Sequence, residues 1–393
     1  MSKKKICYYL IATHLGGAER SLLELLQGLK AQKELEYKPW VVLPKNSGPL
    51  IELLENENIE YSILPIPSRY LNLSRSTPIR SLVGLFFGFF PFLVYLSGLR
   101  KLLLENKPDI IHTNGMKCQI FSRIIGIKTP MVWHLRDIIN SRFLLFLLKK
   151  LSKGKVFIIA NSIATASSFG EKENKITVIY NGLDLKKYFH SPNRYFNGLL
   201  KIPNNRSIVG VLGAIARWKG QLQFVQMAER ILKKGMEIDF VIIGDEIYDT
   251  GSERGFLDEL KREVRRLGYE NRIHFVGFQQ DSVRAINGLD ILVHASIKPE
   301  PFGRVIIEAM ACGVPVVCSA AGGALETVEH GVTGFFYSPG SVEEMTQATE
   351  NLLQNGHLRK KITYNALSNV KKKFSIDSHV EQILKFYSVI LRG

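Results

Sequence analysis

Two consecutive series of short, nearly unbroken apolar runs constrain this chain more than any other feature. The first reads KKICYYLIA, KPWVVLP, IEYSILP, DIIHTN, PMVWHL, KVFIIANS and KITVIYN; the second reads RSIVGVLGA, IDFVIIGD, RIHFVGF, DILVHAS, VPVVCSA and TGFFYSP. Patterns of helical period separate them. Strands that are apolar on both faces and alternate with helices belong to parallel sheets covered on both sides. Two such series predict two doubly wound, Rossmann-like α/β domains, and 393 residues suffice for both. The expected division is 1–185 and 186–373, with a last helix over 374–393. The chain crosses between domains near Tyr180–Asp184, and residues 190–206 read as a linker. A hydrophobic content of 46% with 22% charged residues excludes wholesale disorder.

Charge is distributed unevenly. The net charge is +16, and residues 1–190 carry 27 of the 52 basic but only 14 of the 36 acidic side chains. Such a balance favours an anionic partner. The basic half also contains an uncharged stretch, residues 82–99, flanked by Arg80, Arg100 and Lys101, and a second apolar-basic stretch over 142–155. Eighteen uncharged residues lie at the short end of what spans a bilayer, and Gly84, Gly88 and Pro91 weaken a straight span. The expected reading is an anionic membrane surface bound through 79–101 and 142–155, with apolar side chains in the interface and cations on headgroups. The alternatives are a core helix beside a solvated basic face, and a true span. The N-terminal run is too short for a signal peptide and reads as a first strand. Cys7, Cys118, Cys312 and Cys318 form no CxxC pair, which points to a reducing cytosol.

Four places carry chemistry. The sharpest is Glu300-Pro301-Phe302-Gly303-Arg304-Val305-Ile306-Ile307-Glu308, which follows the strand DILVHAS and opens a helix. Pro301 suits a first helical turn, and the free amides of such a turn hold a diphosphate or a sugar hydroxyl. Glu300 falls just outside the helix and Glu308 inside it, where a carboxylate accepts from a diol. The second is Ala216-Arg217-Trp218-Lys219-Gly220, a strand-to-helix turn whose two cations suit a diphosphate. The third is Gly16-Gly17 after the first strand, which allows close backbone approach. The fourth is His134 at a strand end, beside Arg136 and Asp137, placed to bond a sugar hydroxyl or assist proton transfer. His112 and His294 lie in strands and read as core. No GxGxxG follows the first strand and no GxxxxGK[ST] occurs, which disfavours a dinucleotide oxidoreductase and a P-loop ATPase. No Asp-x-Asp occurs either, so no paired-carboxylate cradle for a metal on a diphosphate is evident.

Together these strings resemble the GT-B glycosyltransferases of family 4. The resemblance runs through GGAE, DIIHTN, VWHLRD, VIYNGLD, ARWKGQ, VIIGD, EPFGRVIIEAMACGVPVV and GGALETVEHGVTGFF, in that order. It implies two Rossmann-like domains facing across a cleft and a last helix returning to the first domain. It implies a retaining hexosyltransferase that uses a UDP- or GDP-linked sugar and needs no metal or other cofactor. Glu308 would bind the nucleotide ribose; Glu300, with the backbone of Phe302, Gly303, Arg304 and Val305, would face the donor sugar. Lys219, and with it Arg217, would meet the diphosphate. Gly16 and Gly17 would line the cleft by the donor phosphate and the acceptor, and His134 would approach the transferred sugar. Ala214 stands where the family often has Arg, and Arg304 replaces a commoner apolar residue.

The basic, apolar surface suggests a glycan or lipid-linked acceptor in cell-surface polysaccharide assembly, with the protein cytoplasmic and peripheral on the inner face of the membrane. The rivals are a related enzyme with a soluble acceptor, a UDP-sugar epimerase, and a membrane- or nucleic-acid-binding protein. Leu, Phe and Ile dominate the basic segment, where a nucleic-acid surface needs interleaved exposed aromatics, so no nucleic-acid partner is expected.

Overall fold

The computed structural model describes residues 3–11, 16–32, 36–67, 89–170, 176–246 and 253–392. They form two compact units, Met1–Gly182 with Ile376–Gly393, and Leu183–Ser375.

The first unit has seven strands: β1 (Lys4–Tyr9), β2 (Tyr37–Leu43), β3 (Glu60–Ile63), β4 (Ile110–Asn114), β5 (Met131–Leu135), β6 (Val156–Ala160) and β7 (Ile176–Val178). Their order is β3-β2-β1-β4-β5-β6-β7, and every ladder is parallel. Its helices are α1 (Gly17–Lys30), α2 (Pro49–Asn56), α3 (Phe89–Asn106), α4 (Met116–Ile124), α5 (Arg142–Leu151) and α6 (Ile163–Phe169). The period of two sends alternate strand residues to opposite faces. Cys7, Tyr9, Trp40, Ile111 and Trp133 pack under α3, α4 and α5, whereas Ile6, Tyr8, Val41, Val132 and Ile159 pack under α1 and α2. The second face is completed by the last helix of the chain, Ile376–Arg392, which lays Val380, Ile383, Tyr387 and Ile390 beside α1. Each such fully buried side chain contributes roughly 1.5–3 kcal/mol.

The second unit has six strands: β8 (Ser207–Leu212), β9 (Ile238–Ile243), β10 (Ile273–Gly277), β11 (Ile291–His294), β12 (Val316–Ser319) and β13 (Phe335–Tyr337), in the parallel order β10-β9-β8-β11-β12-β13. Its helices are α7 (Tyr195–Leu200), α8 (Gln221–Lys233), α9 (Phe256–Leu267), α10 (Ser282–Asn287), α11 (Arg304–Ala311), α12 (Ala324–Thr327), α13 (Val342–Gln354) and α14 (Gly356–Lys373); Ile376–Arg392 is then α15. The strands coincide with the apolar runs read from the sequence. Residues 190–206 differ from expectation. They are no free linker, because they contain α7, and Phe196 is fully buried there.

Both sheets reverse their winding once, between β1 and β4 and between β8 and β11. In open parallel sheets the carboxyl ends flanking such a reversal form a crevice where ligands bind. The turns that follow β8 and β11 carry Lys219 and Glu300, and the turn after β1 carries Gly16 and Gly17. The fold thus places these motifs at the two reversals.

Candidate functional site

In the second unit, β8 leads into a 3-10 turn, Arg217–Lys219, that ends at Gly220 with φ +75°. A Cβ at Gly220 would lie 1.9 Å from the Ala295 carbonyl oxygen, so only glycine lets this turn rest on the end of β11. The Ile297 amide donates to the Trp218 carbonyl at 2.9 Å and ties the two turns together. Lys219 then crosses the short distance to Glu300: its Nζ donates to Oε1 at 2.7 Å and lies 4.4 Å from the Trp218 ring centroid.

Glu300 is held from three sides. Besides Lys219, His294 Nε2 donates to Oε1 at 2.9 Å, and the Ser296 hydroxyl bonds the same oxygen. Glu300 is buried, yet its Oε2 takes no hydrogen bond among the described residues. Burial alone would raise this carboxyl; the charges and hydrogen bonds of Lys219 and His294 outweigh it and hold it well below the usual carboxylate range. Its backbone is clamped by Gly323, whose amide donates to the Glu300 carbonyl at 2.9 Å. A Cβ on Gly323 would stand 2.5 Å from Phe302 Cα, so the GGAL string supports the site from below.

Helix α11 begins at Arg304, later than expected. Pro301 lies in the bend before it, and Gly303 (φ +78°) is the N-cap. The amides of a first turn have no partner within their own helix and point outward as a partial positive charge. Phe302 is buried edge-on against Phe374 at 5.8 Å, so this residue offers backbone rather than ring. One turn further, Glu308 repeats the pattern of Glu300. Its Oε1 accepts from Arg304 Nε at 2.6 Å and from the Tyr188 hydroxyl at 3.3 Å, while Oε2 has no partner among the described residues. Arg304 also reaches the Tyr188 hydroxyl at 3.4 Å. Val305 follows in the same turn.

Arg217 is placed differently from Lys219. Both its terminal nitrogens bond Glu259, at 3.0 and 2.5 Å, its amide donates to Glu253, and its guanidinium stacks 4.6 Å from the Phe256 ring. The structure brings it to α9 rather than to Glu300.

In the first unit, His134, the last residue but one of β5, is fully buried. Its hydrogen-bond partners are His112, Arg136 and Gln119, not Asp137. His112 Nε2 lies 3.1 Å from His134 Nδ1, Arg136 Nη2 donates to that Nδ1 at 3.4 Å, and Gln119 donates to its carbonyl. An arginine only donates, so Nδ1 accepts and a neutral ring carries its proton on Nε2. That Nε2 has no partner among the described residues. Burial, and then the Arg136 charge, hold His112 and His134 well below the ordinary histidine value, so both are neutral near pH 7. His112 continues the network to Tyr387 of α15 at 2.6 Å, and Tyr387 to Tyr8 at 3.1 Å. Arg136 is fixed by Asn114 and by Asn181 at 2.7 Å. Gly16 donates its amide to Glu19 and Gly17 opens α1; neither has a positive φ.

Sequence reasoning missed His294, Ser296 and Tyr188 as site residues. The alternation that places 294 and 296 on one side of the chain, just before Glu300, was a signal for the first two. Tyr188 sends its hydroxyl across 120 residues and had none.

In the first unit, α3, α4 and α5 expose Phe90, Val94, Ile124, Phe143 and Phe146. Phe143, Phe146 and Lys150 recur at helical spacing on α5, whose Leu148 is buried. Residues 79–88 of the expected membrane segment lie outside the described residues. No helix among the described residues is long and apolar enough to cross a membrane.

The chain is similar to known proteins. The family "Glycosyltransferase Family 4" matches residues 15–187 and "Glycosyl transferases group 1" matches residues 198–368. The chain belongs to the GT-B glycosyltransferases of family 4, and it is a glycosyltransferase. It is 25% identical over 372 residues to the capsular polysaccharide biosynthesis glycosyltransferase CapM of Staphylococcus aureus, covering 87% of this chain and 93% of that protein. It is 31% identical to the lipopolysaccharide core biosynthesis mannosyltransferase LpcC of Rhizobium leguminosarum bv. viciae, over 58% of this chain and 64% of that one, less than two thirds of its length. Anabaena HepE, solved in complex with UDP-glucose, superposes with a TM-score of 0.82 at 28% identity, covering 98% of this chain and 99% of that chain.

Proposed function

We propose that this glycosyltransferase moves a hexosyl unit from a nucleotide sugar to the hydroxyl of a lipid-linked or membrane-associated glycan, with retention at the anomeric carbon. The observation that carries the donor assignment is the matched state of Glu300 and Glu308. Each is a buried carboxylate with one oxygen bound by protein donors and the other without a partner among the described residues. Two such acceptors, one turn of helix and a short loop apart, suit a sugar hydroxyl and a ribose diol. In this reading Glu308 takes the ribose and Glu300 the sugar. The α11 amides of Arg304 and Val305, with Gly303, and the ammonium of Lys219 neutralise the diphosphate between them. The second unit is then the donor-binding unit, and a UDP-linked sugar is favoured by the likeness to HepE.

We assign the acceptor to the first unit. Gly16 and Gly17 stand at the start of α1, after β1, and His134 lies on β5 close to the same sheet reversal, its buried Nε2–H without a partner among the described residues. The likeness to CapM, of capsular polysaccharide biosynthesis, and LpcC, of lipopolysaccharide core biosynthesis, supports a glycan acceptor, and the exposed Phe143–Phe146–Lys150 stripe supports docking on an anionic bilayer. The leaving diphosphate is stabilised by protein cations and amides, and retention follows the family pattern.

Transfer assays with Glu308→Ala and Lys219→Ala test the site. Each should lower turnover by about a hundredfold or more while the circular dichroism spectrum is unchanged. Near-normal turnover in both variants would remove the assignment. Proton NMR of the first-formed product reads the anomeric configuration, and inversion would defeat the retaining mechanism. Full activity in EDTA is expected; loss that manganese restores would overturn the metal-free reading.

A further inference from the structure

We propose that His294, with Ser296, is a positioning residue of the donor site: by occupying Oε1 of Glu300 it leaves Oε2 as the oxygen presented to the transferred sugar. This rests on the reading of Glu300 as the sugar-facing carboxylate.

Three donors converge on one atom. Lys219 Nζ lies at 2.7 Å, His294 Nε2 at 2.9 Å, and the Ser296 hydroxyl bonds the same Oε1. A carboxylate oxygen has about two acceptor sites, so three donors saturate it. Lys219 is a point charge on a flexible stem and tolerates rotation of the carboxylate beneath it. The imidazole and the hydroxyl do not, because both leave a fixed backbone. His294 ends β11 and its carbonyl accepts from the Tyr337 hydroxyl at 3.1 Å; Ser296 is buried two residues on, on the same side of the chain.

A second observation separates this role from packing. His294 is buried, and its Nδ1 has no hydrogen-bond partner among the described residues. An unsatisfied ring nitrogen in the interior costs free energy that an aliphatic side chain would avoid. The neighbouring β11 positions Ile291, Leu292 and Val293 are aliphatic and fully buried. A histidine at 294 is therefore a poor choice for the core and a good one for donating to Glu300. Neither His294 nor Ser296 needs to touch the donor, since both act through the carboxylate.

The test uses the full chain. A thermal-shift panel of UDP-glucose, UDP-N-acetylglucosamine and GDP-mannose selects the donor, and calorimetric titration compares that donor with its own nucleoside diphosphate. His294→Ala should weaken the donor by about tenfold or more and the nucleoside diphosphate by less than about twofold. His294→Gln, whose amide nitrogen can reach the Nε2 position, should recover donor affinity to within about threefold. Donor binding by His294→Ala that matches wild type overturns the proposal. So does an equal loss for both ligands that His294→Gln fails to recover. If His294→Ala does not fold, Ser296→Ala decides: selective donor weakening supports the proposal, and unchanged binding overturns it. Glu300→Ala keeps the two claims apart. Undiminished donor binding in that variant, or a panel without any shift, removes the donor-site reading itself.

Discussion

Lys219 and Glu300 stand 81 residues apart in sequence, and the ammonium of the first donates to the carboxylate of the second at 2.7 Å. The pair joins the turn after β8 to the turn after β11, the two strands that flank the winding reversal of the second sheet. It couples the cation proposed for the diphosphate to the carboxylate proposed for the sugar.

Breaking that pair should lower both stability and transfer. Lys219→Met leaves Glu300 with His294 and Ser296, so the buried carboxylate keeps two of its donors. The expected cost is about 2 kcal/mol of stability, at the lower end for disrupting a buried charged hydrogen bond. Urea unfolding followed by fluorescence measures it. A stability loss without a loss of transfer would confine Lys219 to a structural part.

Arg304 and Tyr188 both bond Glu308 Oε1, but at 2.6 and 3.3 Å. Arg304→Leu removes the charge-assisted bond and should weaken nucleoside diphosphate binding by about tenfold. Tyr188→Phe removes the long neutral bond and should cost less than about threefold. Calorimetry on the two variants checks the ranking, and a reversed order would mean that Tyr188 holds the carboxylate.

Gly17 opens α1 with a helical φ, and a Cβ there would meet no described atom. Gly17→Ala should therefore leave the folding free energy equal or slightly more favourable, by up to about 0.5 kcal/mol. Transfer should nonetheless fall, because the methyl occupies space assigned to the acceptor. Unchanged turnover in this variant would take the acceptor away from the turn after β1.

The neutral pair His112 and His134 makes stability depend on pH. Both imidazoles have folded values depressed below their unfolded value of 6.5, so the unfolded chain binds protons that the folded one does not. Their contribution is full above that value and is lost as the pH falls below it, with a limiting slope of about 1.4 kcal/mol per pH unit for each ring. Denaturant unfolding at several pH values between 7.5 and 5 should show the decline, and His112→Gln should show a shallower one. An equal slope in both proteins would mean that other groups set it.

On α5, Phe143 is 76% exposed and Phe146 66% exposed, beside Arg142 and Lys150. Sedimentation with phosphatidylglycerol vesicles at low salt should capture the chain, and raised salt should release much of it. Phe143→Ser with Phe146→Ser should reduce capture while transfer to a water-soluble acceptor analogue is kept. Absence of binding by the wild-type chain at low salt would end the membrane reading.

The sequence by itself determined the two sheets, the order of elements and where along the chain the candidate motifs fall. Apolar period, turn residues and helix starts are local properties, and each strand could be read within a window of a few residues. The same locality explains what it could not decide. Glu300 and Glu308 were visible as carboxylates beside a helix start, but which of their oxygens stays open depends on His294, Ser296, Lys219, Arg304 and Tyr188. Two of these, Lys219 and Tyr188, arrive from 81 and 120 residues away. In sequence Arg217 and Lys219 are alike, two cations in one turn; opposite directions around a 3-10 turn send one to Glu259 and the other to Glu300. In sequence His112 and His294 both read as core, and both are buried, yet packing gives one a histidine partner and the other a carboxylate. Partner choice in an interior is settled by whichever group lies within about 3 Å, and only the completed tertiary structure sets that distance.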